Sequence, residues 1–392
     1  MSDGTLQTLD VTMLDDVNNA SGLIQLDSNA KIPACSGAAI TGLSSVTKNA
    51  SDPVITTNPS GGVGSVWQNT TSGEMYICTD ATAGENVWTN IGAGSGDITP
   101  YFGYQGELYG YNGGGSSRLT TIDRFSFTTD GNSVDWADCA SGRDYNSSSS
   151  SATHGYISAG GTNFAIEKFP FASQTNATNI GTMSINSTRE NSAGMGSETY
   201  GYICGGKYPG PNYYNIIEKY PFASDANGTD HADTLQAINE VCGNASVTHG
   251  YICGGYRGVA YENTIQKFSF ASNANATDVG DLTGVIGRAA GSNSTTHGYK
   301  AGGSSSSGAY PTTNSIQKWA FASDANATNV GNSIVGRFAN AGHSSTNHGY
   351  QSMGSGGADG NSIEKYPFAT DSNATDVGDL TVSGSYGAGQ HY

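Results

Sequence analysis

Short segments in which apolar and polar residues alternate run through residues 99–392, and versions of the same segments return six times. In the segment 166–171, Ile166 falls on one side of an extended chain, and Phe169 and Phe171 fall on the other. This period of two, the β-branched and aromatic residues, and turn residues at roughly 8–12-residue spacing predict β-strands and argue against helical repeats. Because the strand is apolar on both sides, we expect it in a sheet that packs between two other sheets.

The isoleucine that opens this strand marks the repeat. It stands at Ile122, Ile166, Ile217, Ile265, Ile316 and Ile363, in steps of 44, 51, 48, 51 and 47 residues. A period of this length is typical of propellers and solenoids, in which each unit buries its faces against its neighbours. A β-solenoid coil is normally shorter, so the period favours a propeller.

Each repeat predicts four strands. A His-Gly-Tyr phrase, as at 154–156, opens one strand that stops at a glycine doublet, where positive φ is available. The Ile-Glu-Lys phrase gives the next strand, Asn-Ala-Thr-Asp-Val-Gly gives a turn and a short strand, and a segment such as 336–342 supplies the fourth. Six such units predict an all-β fold with a six-bladed β-propeller at 99–392. We expect residues 384–392 to pair beside 108–111 and to complete the first blade, which removes an exposed edge.

Two polar features interrupt the Ile-Glu-Lys strand. Proline recurs there at Pro170, Pro221 and Pro367, which predicts an edge or a bulge because proline has no N–H to donate. Lys168 shares the side of Ile166, so we expect its stem to cover apolar surface while its ammonium group reaches water.

Residues 1–98 differ from the repeats. Residues 1–61 predict an extended N-terminal segment, with one strand at 23–26, a turn at 27–29 and a polar connector at 41–61. Residues 62–98 predict a small β module and a linker: a hairpin of 66–69 and 74–78 around the loop 70–73, a third strand at 87–91 and a glycine-rich joint at 92–96. Its two tryptophans cannot make a full core, so we expect copies of the module or a neighbouring protein to stabilise it.

Charge narrows the range of partners. The formal net charge is −17, with 12% charged residues, and such a surface repels phosphate backbones and anionic lipid. The chain has no apolar run near the roughly 20 residues of a membrane span, and its first residues lack the features of a signal peptide. Six scattered cysteines show no metal-binding spacing and are interpreted as small buried hydrophobic residues. We therefore expect no nucleic-acid partner and no membrane insertion.

A glycine doublet after an aromatic-containing strand, an upstream arginine (Arg143, Arg189, Arg288 and Arg337) and a downstream aromatic strand are similar to kelch repeats. The resemblance covers about 99–392. It departs from the kelch pattern in the downstream tryptophan, which only Trp319 approaches. The resemblance implies a kelch-like six-bladed β-propeller.

A second resemblance concerns the segments 321–331 and 26–43 and the hairpin 66–80. They resemble tail-fibre and virion structural proteins of marine tailed bacteriophages. This resemblance implies a virion component, often host-facing, that is assembled in the host cytoplasm and released by lysis. Residues 1–98 would then attach it to other virion proteins, with a trimer as the favoured homo-oligomer.

Motifs for chemistry are weak. Recurring histidines of the His-Gly-Tyr phrase could form a metal ring, but residues at one repeat position lie far apart unless they line the axis, which favours packing. The phrases at 324–328 and 371–375 start like calcium loops, yet lack the glycine and glutamate of an EF-hand, and Asx turns explain the same letters. Glu167, Glu218 and Glu364 recur as framework residues, and no catalytic motif stands out. We expect no catalytic residue, no metal and no cofactor.

The loops after the glycine doublets vary most between repeats, and a rigid scaffold with variable tyrosine-bearing loops is how binding surfaces are built. The candidate host-contact residues are Tyr208, Tyr213, Tyr214, Tyr256, Tyr261 and Tyr310. These tyrosines could equally serve only to pack the loops. The leading hypothesis is a virion tail fibre or appendage whose loops bind a host-surface glycan. The alternatives are a purely structural capsid or tail decoration or connector, and an enzyme that cleaves envelope polysaccharide.

Overall fold

The computed structural model describes residues 46–91 and 105–392, except 162–163, 186, 209, 211, 307–309 and 358–359. The chain divides into two compact units, 1–100 and 101–392. The expected strand at 23–26, the turn at 27–29 and the joint at 92–96 lie outside the described residues. Within them, no helix has the length and hydrophobicity needed to cross a bilayer.

In the first unit, four strands form one sheet in the order β1 (Thr47–Asn49), β2 (Val66–Asn69), β3 (Met75–Asp80) and β4 (Val87–Asn90). The hairpin β2–β3 and the third strand form as expected. Residues 41–61 were expected to be a connector, and that was wrong for their described part: β1 pairs parallel to β2. The following residues cover the sheet, since Trp67 Nε1 donates to Ser51 O at 2.9 Å and Asn86 Nδ2 to Ile55 O at 2.7 Å.

Beneath this cover, Trp67 and Trp88 meet edge to face, with ring centroids 5.9 Å apart. Tyr76 and Cys78 are fully buried against them. The segment 51–55 is therefore tied by hydrogen bonds to the sheet that carries this small core.

In the second unit, the described residues form six four-stranded antiparallel sheets. Five sheets come from one repeat each, and sheet 1 combines three strands of the first repeat with a strand from the end of the chain. Sheet 1 contains β5 (Tyr109–Gly113), β6 (Thr121–Ser126) and β7 (Val134–Asp138). Sheet 2 contains β8 (Ser147–Ser150), β9 (His154–Ser158), β10 (Ala165–Pro170) and β11 (Thr178–Thr182). Sheet 3 contains β12 (Ala193–Gly196), β13 (Tyr200–Cys204), β16 (Ile216–Pro221) and β17 (Thr229–Asp233), with the small hairpin β14 (Lys207–Tyr208) and β15 (Asn212–Tyr213) in its loop.

Sheet 4 contains β18 (Cys242–Ala245), β19 (His249–Cys253), β20 (Thr264–Ser269) and β21 (Thr277–Asp281). Sheet 5 contains β22 (Ala290–Asn293), β23 (His297–Ala301), β24 (Ser315–Ala320) and β25 (Thr328–Asn332). Sheet 6 contains β26 (Ala341–Ser344), β27 (His348–Ser352), β28 (Ser362–Pro367) and β29 (Thr375–Asp379). The last strand, β30 (Ala388–His391), returns to sheet 1 and pairs with β5.

In each sheet we call the four strands inner, second, third and outer. The inner strand of sheet 6 is β26, so the expected fourth strand at 336–342 was placed too early: residues 336–340 precede it. The inner strands lie side by side, and β30 lies beside both β26 and β8. This is a propeller-like arrangement of sheets, and β30 pairs where the residues 384–392 were expected to pair.

Glycine lets the inner strands approach one another. A Cβ at Gly291 would overlap the carbonyl oxygen of Gly243, and one at Gly342 would overlap that of Gly291. Gly194, Gly243 and Gly389 stand at the same position of their strands, and Ser148 occupies it in sheet 2. At these five glycines backbone therefore packs directly on backbone around the centre, and a Cβ there would collide.

The glycine of the His-Gly-Tyr phrase serves a different contact. Gly155 lies opposite Phe169 of the third strand, and a Cβ there would overlap the ring of Phe169. Gly298 is covered by Trp319 in the same way. The aromatic residue of the Ile-Glu-Lys-Phe phrase thus lies flat across its own sheet.

The tyrosine of the same phrase packs on the next sheet. Tyr156 stacks on Phe222 with centroids 4.6 Å apart. Each of the other sheets repeats the contact, through Tyr111–Phe171, Tyr202–Phe270, Tyr251–Phe321, Tyr299–Phe368 and Tyr350–Phe127. The last pair joins sheet 6 to sheet 1.

The Asn-Ala-Thr phrase ties neighbouring sheets together. Asn326 Oδ1 accepts a hydrogen bond from Asp281 N at 2.9 Å, and Ala327 N donates to Asp281 O at 2.8 Å, so sheet 5 clasps the outer strand of sheet 4. The other five asparagines, Asn132, Asn176, Asn227, Asn275 and Asn373, accept equivalent bonds. The Asx-turn interpretation was therefore wrong for these asparagines, whose amides bind the preceding sheet. It holds for the residue that follows the phrase, since Asp376 Oδ1 accepts from Gly378 N at 3.1 Å.

Charged residues reinforce four of these contacts. The ammonium group of Lys168 pairs with Asp225 of sheet 3 rather than only with water. The same pair recurs as Lys267–Asp324, Lys318–Asp371 and Lys365–Asp130. Asp324 and Asp371, considered above for calcium, are thus engaged by lysines.

The recurring glutamates are framework residues, as expected. Glu167 is 1% exposed, pairs with Arg143, and accepts a bond from Ala140 N at 2.9 Å, which lies in the connection from sheet 1. Arg189–Glu218 and Arg337–Glu364 repeat this buried pair. In sheets 4 and 5, Ile238 with Gln266 and Ile286 with Gln317 replace it at the same repeat positions.

The recurring prolines end their strands at a local edge of the sheet, as expected, and not at the bulge. Pro170 is the last residue of β10 and lies beyond the residues that pair with β11. The bulge lies elsewhere, between Ile166 and Glu167. The missing N–H therefore falls where no outer-strand partner is present.

Candidate functional site

The inner strands run between two ends of the second unit, which we call the mouth and the base. Each inner strand starts at the mouth, close to the glycine doublets, and ends at the base in the turn before the second strand. A central cavity of about 130 Å³ lies between these strands and is lined mostly by serine, glycine, alanine and asparagine.

At the base, the chain enters the unit across this centre. Gln105 is 9% exposed, and its Nε2 donates to Asn293 O at 3.0 Å and to Ser345 O at 3.1 Å. Gly106 N donates to Ser344 O at 2.7 Å. The entry of the chain is therefore fixed to the inner strands of sheets 5 and 6, at the end opposite the mouth.

At the mouth, one residue of each sheet adopts the left-handed backbone conformation, two positions before its inner strand. We call these six residues the collar: Tyr145, Asn191, Glu240, Arg288, Ala339 and Tyr386, with φ of 59°, 54°, 59°, 57°, 57° and 61°. Five backbone bonds link them in order, from Asn191 N to Tyr145 O at 3.2 Å through Tyr386 N to Ala339 O at 2.7 Å. The six collar residues thus follow one another along the mouth.

The backbone conformation of the collar costs free energy and its side chains vary between repeats, and both features distinguish it from the framework. A non-glycine residue in this conformation costs roughly 1–2 kcal/mol, yet glycine fills none of the six positions. Framework positions such as the clasp asparagines keep one identity through all six repeats, whereas the collar keeps its backbone and changes its side chain. Strained residues that persist where side chains converge are candidates for function.

Four collar side chains are in contact. Arg288 Nη2 pairs with Glu240 Oε1 at 2.6 Å, and Arg288 Nη1 donates to Tyr386 Oη at 3.0 Å. Ala339 lies between Arg288 and Tyr386 in the collar, and its small side chain lets them meet. Tyr145 packs on Tyr386 with ring centroids 4.1 Å apart.

Burial and charge act together on these groups. Burial disfavours the charged form of Arg288, but the Glu240 carboxylate outweighs this and raises the pKa of Arg288. Burial raises the pKa of Tyr386 to about 12, and it also raises the pKa of Tyr145. Near neutral pH the cluster therefore holds one guanidinium and neutral phenols, all available for hydrogen bonding and stacking.

Several of the tyrosines singled out from the sequence extend this cluster. Tyr261 Oη donates to Glu240 Oε2 at 2.6 Å, and its ring lies 4.9 Å from that of Tyr256, which in turn meets Tyr213 edge-on at 6.2 Å. The rings of Tyr310 and Phe338 stack at 5.2 Å, and Arg288 lies 4.7 Å from the centroid of Tyr310.

Two other predicted tyrosines lie apart from these contacts. Tyr214 Oη reaches Ser187 Oγ at 3.5 Å, and Tyr208 is 43% exposed in β14. Tyr208 is therefore accessible to solvent, whereas Tyr261, at 8% exposure, serves mainly to hold Glu240.

Sequence reasoning missed Tyr145, Glu240 and Tyr386, and it misaligned Arg288. Arg143, Arg189 and Arg337 stand 11 residues before the first residue of the second strand, but Arg288 stands only 9 before His297. Arg288 is therefore not the fourth member of the kelch-like arginine series: Ile286 holds that place. The two-residue offset was the signal that could have revealed a different role.

The recurring histidines are packing residues. His154 Nδ1 lies 2.8 Å from Thr153 Oγ1, and burial lowers its pKa. His249 and His297 repeat this contact. Among the described residues, no group of three or more His, Cys, Asp or Glu could hold a metal ion. The described cysteines are buried free thiols, as expected.

No protein-family model matches this chain, and no curated protein matches it. Solved structures do share its fold. The structure of a protein called YjhT aligns with a TM-score of 0.55 at 10% sequence identity, over 69% of this chain and 97% of that one. At this identity the likeness concerns the fold alone, an all-β and propeller-like arrangement of sheets.

Proposed function

We propose that the second unit is a closed six-bladed β-propeller and that it acts as a glycan-binding module of a bacteriophage tail fibre or appendage. Closure is supported by the ties between sheet 6 and sheet 1, which repeat those between the other sheets. Lys365 pairs with Asp130, Asp379 N donates to Asn132 Oδ1 at 3.1 Å, and β30 pairs with β5.

The observation that carries the binding role is the opposition of the two ends. The chain enters at the base through Gln105, whereas the collar and the tyrosine loops lie at the mouth. A module that is held from one end and exposes strained, chemically varied side chains at the other is arranged to present them to a partner.

Exposed apolar side chains also lie at the mouth. Leu235, Val285 and Ile334 follow outer strands that end there, and are 49%, 44% and 53% exposed. Val259, in the loop of sheet 4, is 83% exposed. With Tyr208 they give the mouth aromatic and aliphatic surface among Asn and Ser, the composition on which sugar rings stack and form hydrogen bonds.

The virion assignment rests on the sequence resemblance to tail-fibre and virion structural proteins. We propose that residues 1–98 attach the chain to other virion proteins, with a trimer favoured. The sheet of the first unit, with Trp67 and Trp88 in its small core, is the described part of that attachment region.

Binding of the fluorescently labelled full chain to a panel of marine bacterial cells tests the proposal. We expect saturable binding to some strains, lost after enzymatic removal of the surface polysaccharide. The variant Tyr208→Ala should weaken it, while Tyr76→Phe, in the other unit, should not. Absence of binding across the panel together with stable incorporation into particles would favour the structural alternative. Release of reducing sugar from envelopes would favour the enzyme.

A further inference from the structure

We infer that the collar forms a specificity pocket for a single neutral pyranose ring at the end of the glycan. This inference rests on the proposed function and deepens it, because it names the class of sugar and the residues that select it. The loop tyrosines would contact the remainder of the glycan.

The shape of the site follows from the collar contacts. The side chains of Tyr145, Tyr386, Arg288 and Glu240 form a continuous arc, joined by stacking, a hydrogen bond and an ion pair. The arc is interrupted at Asn191, the remaining polar member of the collar. A ligand that enters from the mouth thus meets phenol rings on one side and a charged pair on the other.

The charges of the arc favour a neutral ligand. Arg288 and Glu240 neutralise one another at 2.6 Å, and the whole chain carries a net charge of −17. An anionic sugar would compete with Glu240 for the guanidinium and would meet the repulsion of the protein as a whole. A neutral ring meets neither penalty.

Buried polar atoms without a partner point to a ligand with hydroxyl groups. Asn340, next to the collar, is 8% exposed, and its Oδ1 has no hydrogen-bond partner, while its Nδ2 donates to Gln351 Oε1 at 2.7 Å. Arg288 Nε also lacks a partner. Both residues line a small cavity at the mouth. One atom needs a donor and the other an acceptor, and a sugar hydroxyl can serve as either.

The aromatic members supply the apolar part of the recognition. A pyranose presents a patch of C–H groups on one face and hydroxyl groups at its edge. The Tyr145–Tyr386 pair offers a ring face for the first, and Asn191, Asn340 and Arg288 offer polar groups for the second. Burial raises the pKa of both phenols, so they remain neutral through the physiological range.

Free monosaccharides test this inference separately from cell binding. The full chain is titrated, with saturation-transfer NMR as readout, with the methyl glycosides of glucose, galactose, mannose and N-acetylglucosamine, and with methyl glucuronide. We expect at least one neutral glycoside to bind and the glucuronide to bind at least tenfold more weakly. Tyr145→Ala should weaken the neutral glycoside about tenfold, as expected for the loss of a stacking surface.

The double variant Glu240→Gln/Arg288→Gln guards against misfolding, because it removes both charges together and leaves no unpaired ion. It should also weaken the neutral glycoside, whereas Tyr76→Phe, in the other unit, should not. Cell binding that survives Tyr145→Ala while no free glycoside binds would overturn the specificity pocket and leave the proposed function intact. Tighter binding of the glucuronide than of every neutral glycoside would also overturn it. Failure of the wild-type chain to bind any cell would instead remove the proposed function.

Discussion

Replacing Arg337 with isoleucine and Glu364 with glutamine would convert the buried ion pair of sheet 6 into the neutral pair of sheets 4 and 5. Both side chains are almost fully buried, at 0% and 1% exposure. Arg337 also donates to Met353 O at 2.9 Å, and Glu364 Oε2 accepts from Ile334 N at 3.0 Å. The same backbone tie exists in sheet 5, where Gln317 Oε1 accepts from Thr283 N at 3.0 Å.

The two single variants should each be costly. Glu364→Gln leaves the guanidinium buried without its anion, and Arg337→Ile leaves the carboxylate without its cation, so each should lose about 3–5 kcal/mol. The double variant retains the tie to Ile334 N and buries no charge, so it should lose no more than about 2 kcal/mol. The coupling between the two positions should therefore be at least about 4 kcal/mol.

Urea unfolding of the full chain, followed by near-ultraviolet circular dichroism, measures these values for the four proteins of the cycle. The control is Gln266→Glu in sheet 4, which places a carboxylate beside Ile238 and should destabilise the protein at pH 7 but much less near pH 4. Additive losses in the double variant, within about 0.5 kcal/mol, would contradict the interpretation of the pair as interchangeable.

Three further substitutions probe the centre and the ties between sheets. Burial lowers the pKa of His343 to about 4, so its unfolded form takes up a proton first as pH falls below about 6.5. The free energy of unfolding should keep its full value above that pH and fall by up to about 3 kcal/mol toward pH 4. Denaturation at a series of pH values should show a smaller loss in His343→Asn. Gly342→Ala should lower the melting temperature by several degrees because its Cβ overlaps the carbonyl of Gly291. Asn326→Ala should cost about 1–2 kcal/mol, since Asp281 N loses its acceptor, and hydrogen exchange should show faster exchange of that amide.

Each of these has a matched control. Asparagine is native at the equivalent inner-strand position 244, so His343→Asn should fold. Ser148→Ala, at the position equivalent to Gly342, should leave the melting temperature nearly unchanged. For the clasp, Asn326→Asp keeps the acceptor oxygen and should retain most of the slow exchange. A Gly342→Ala protein as stable as the parent, an unchanged pH profile in His343→Asn, or fast exchange in Asn326→Asp would contradict the respective contact.

Most of the fold could be predicted from the repeated residues. Ile166 and Phe169 do bury opposite sides of one strand, and Gly160 does adopt a positive φ of 94°. The sequence did not show which residues these side chains contact. Asn326 and Lys168 look like local turn and surface residues, because alternation within a strand says nothing about which atoms of the next sheet face it.

The candidate site was harder to predict for the same reason. Tyr145, Glu240 and Arg288 share no residue type, so no motif joins them, and what they share is a backbone angle. Tyr213 and Tyr256 were found because loops stand out by their variability. Two features together identify the collar: the left-handed backbone angle that its residues share and the two-residue offset of Arg288.

The chain entry at the base determines how the second unit would respond to tension. A pull on residue 105 would reach Asn293 and Ser345 in two different sheets, and through Gly106 it would also load Ser344. Bonds that share a load in parallel must rupture nearly together, whereas a strand peeled from an edge gives way one bond at a time. If the second unit were held at the mouth, such a pull would therefore be spread over several strands, and resistance to it would be set by the rate of rupture.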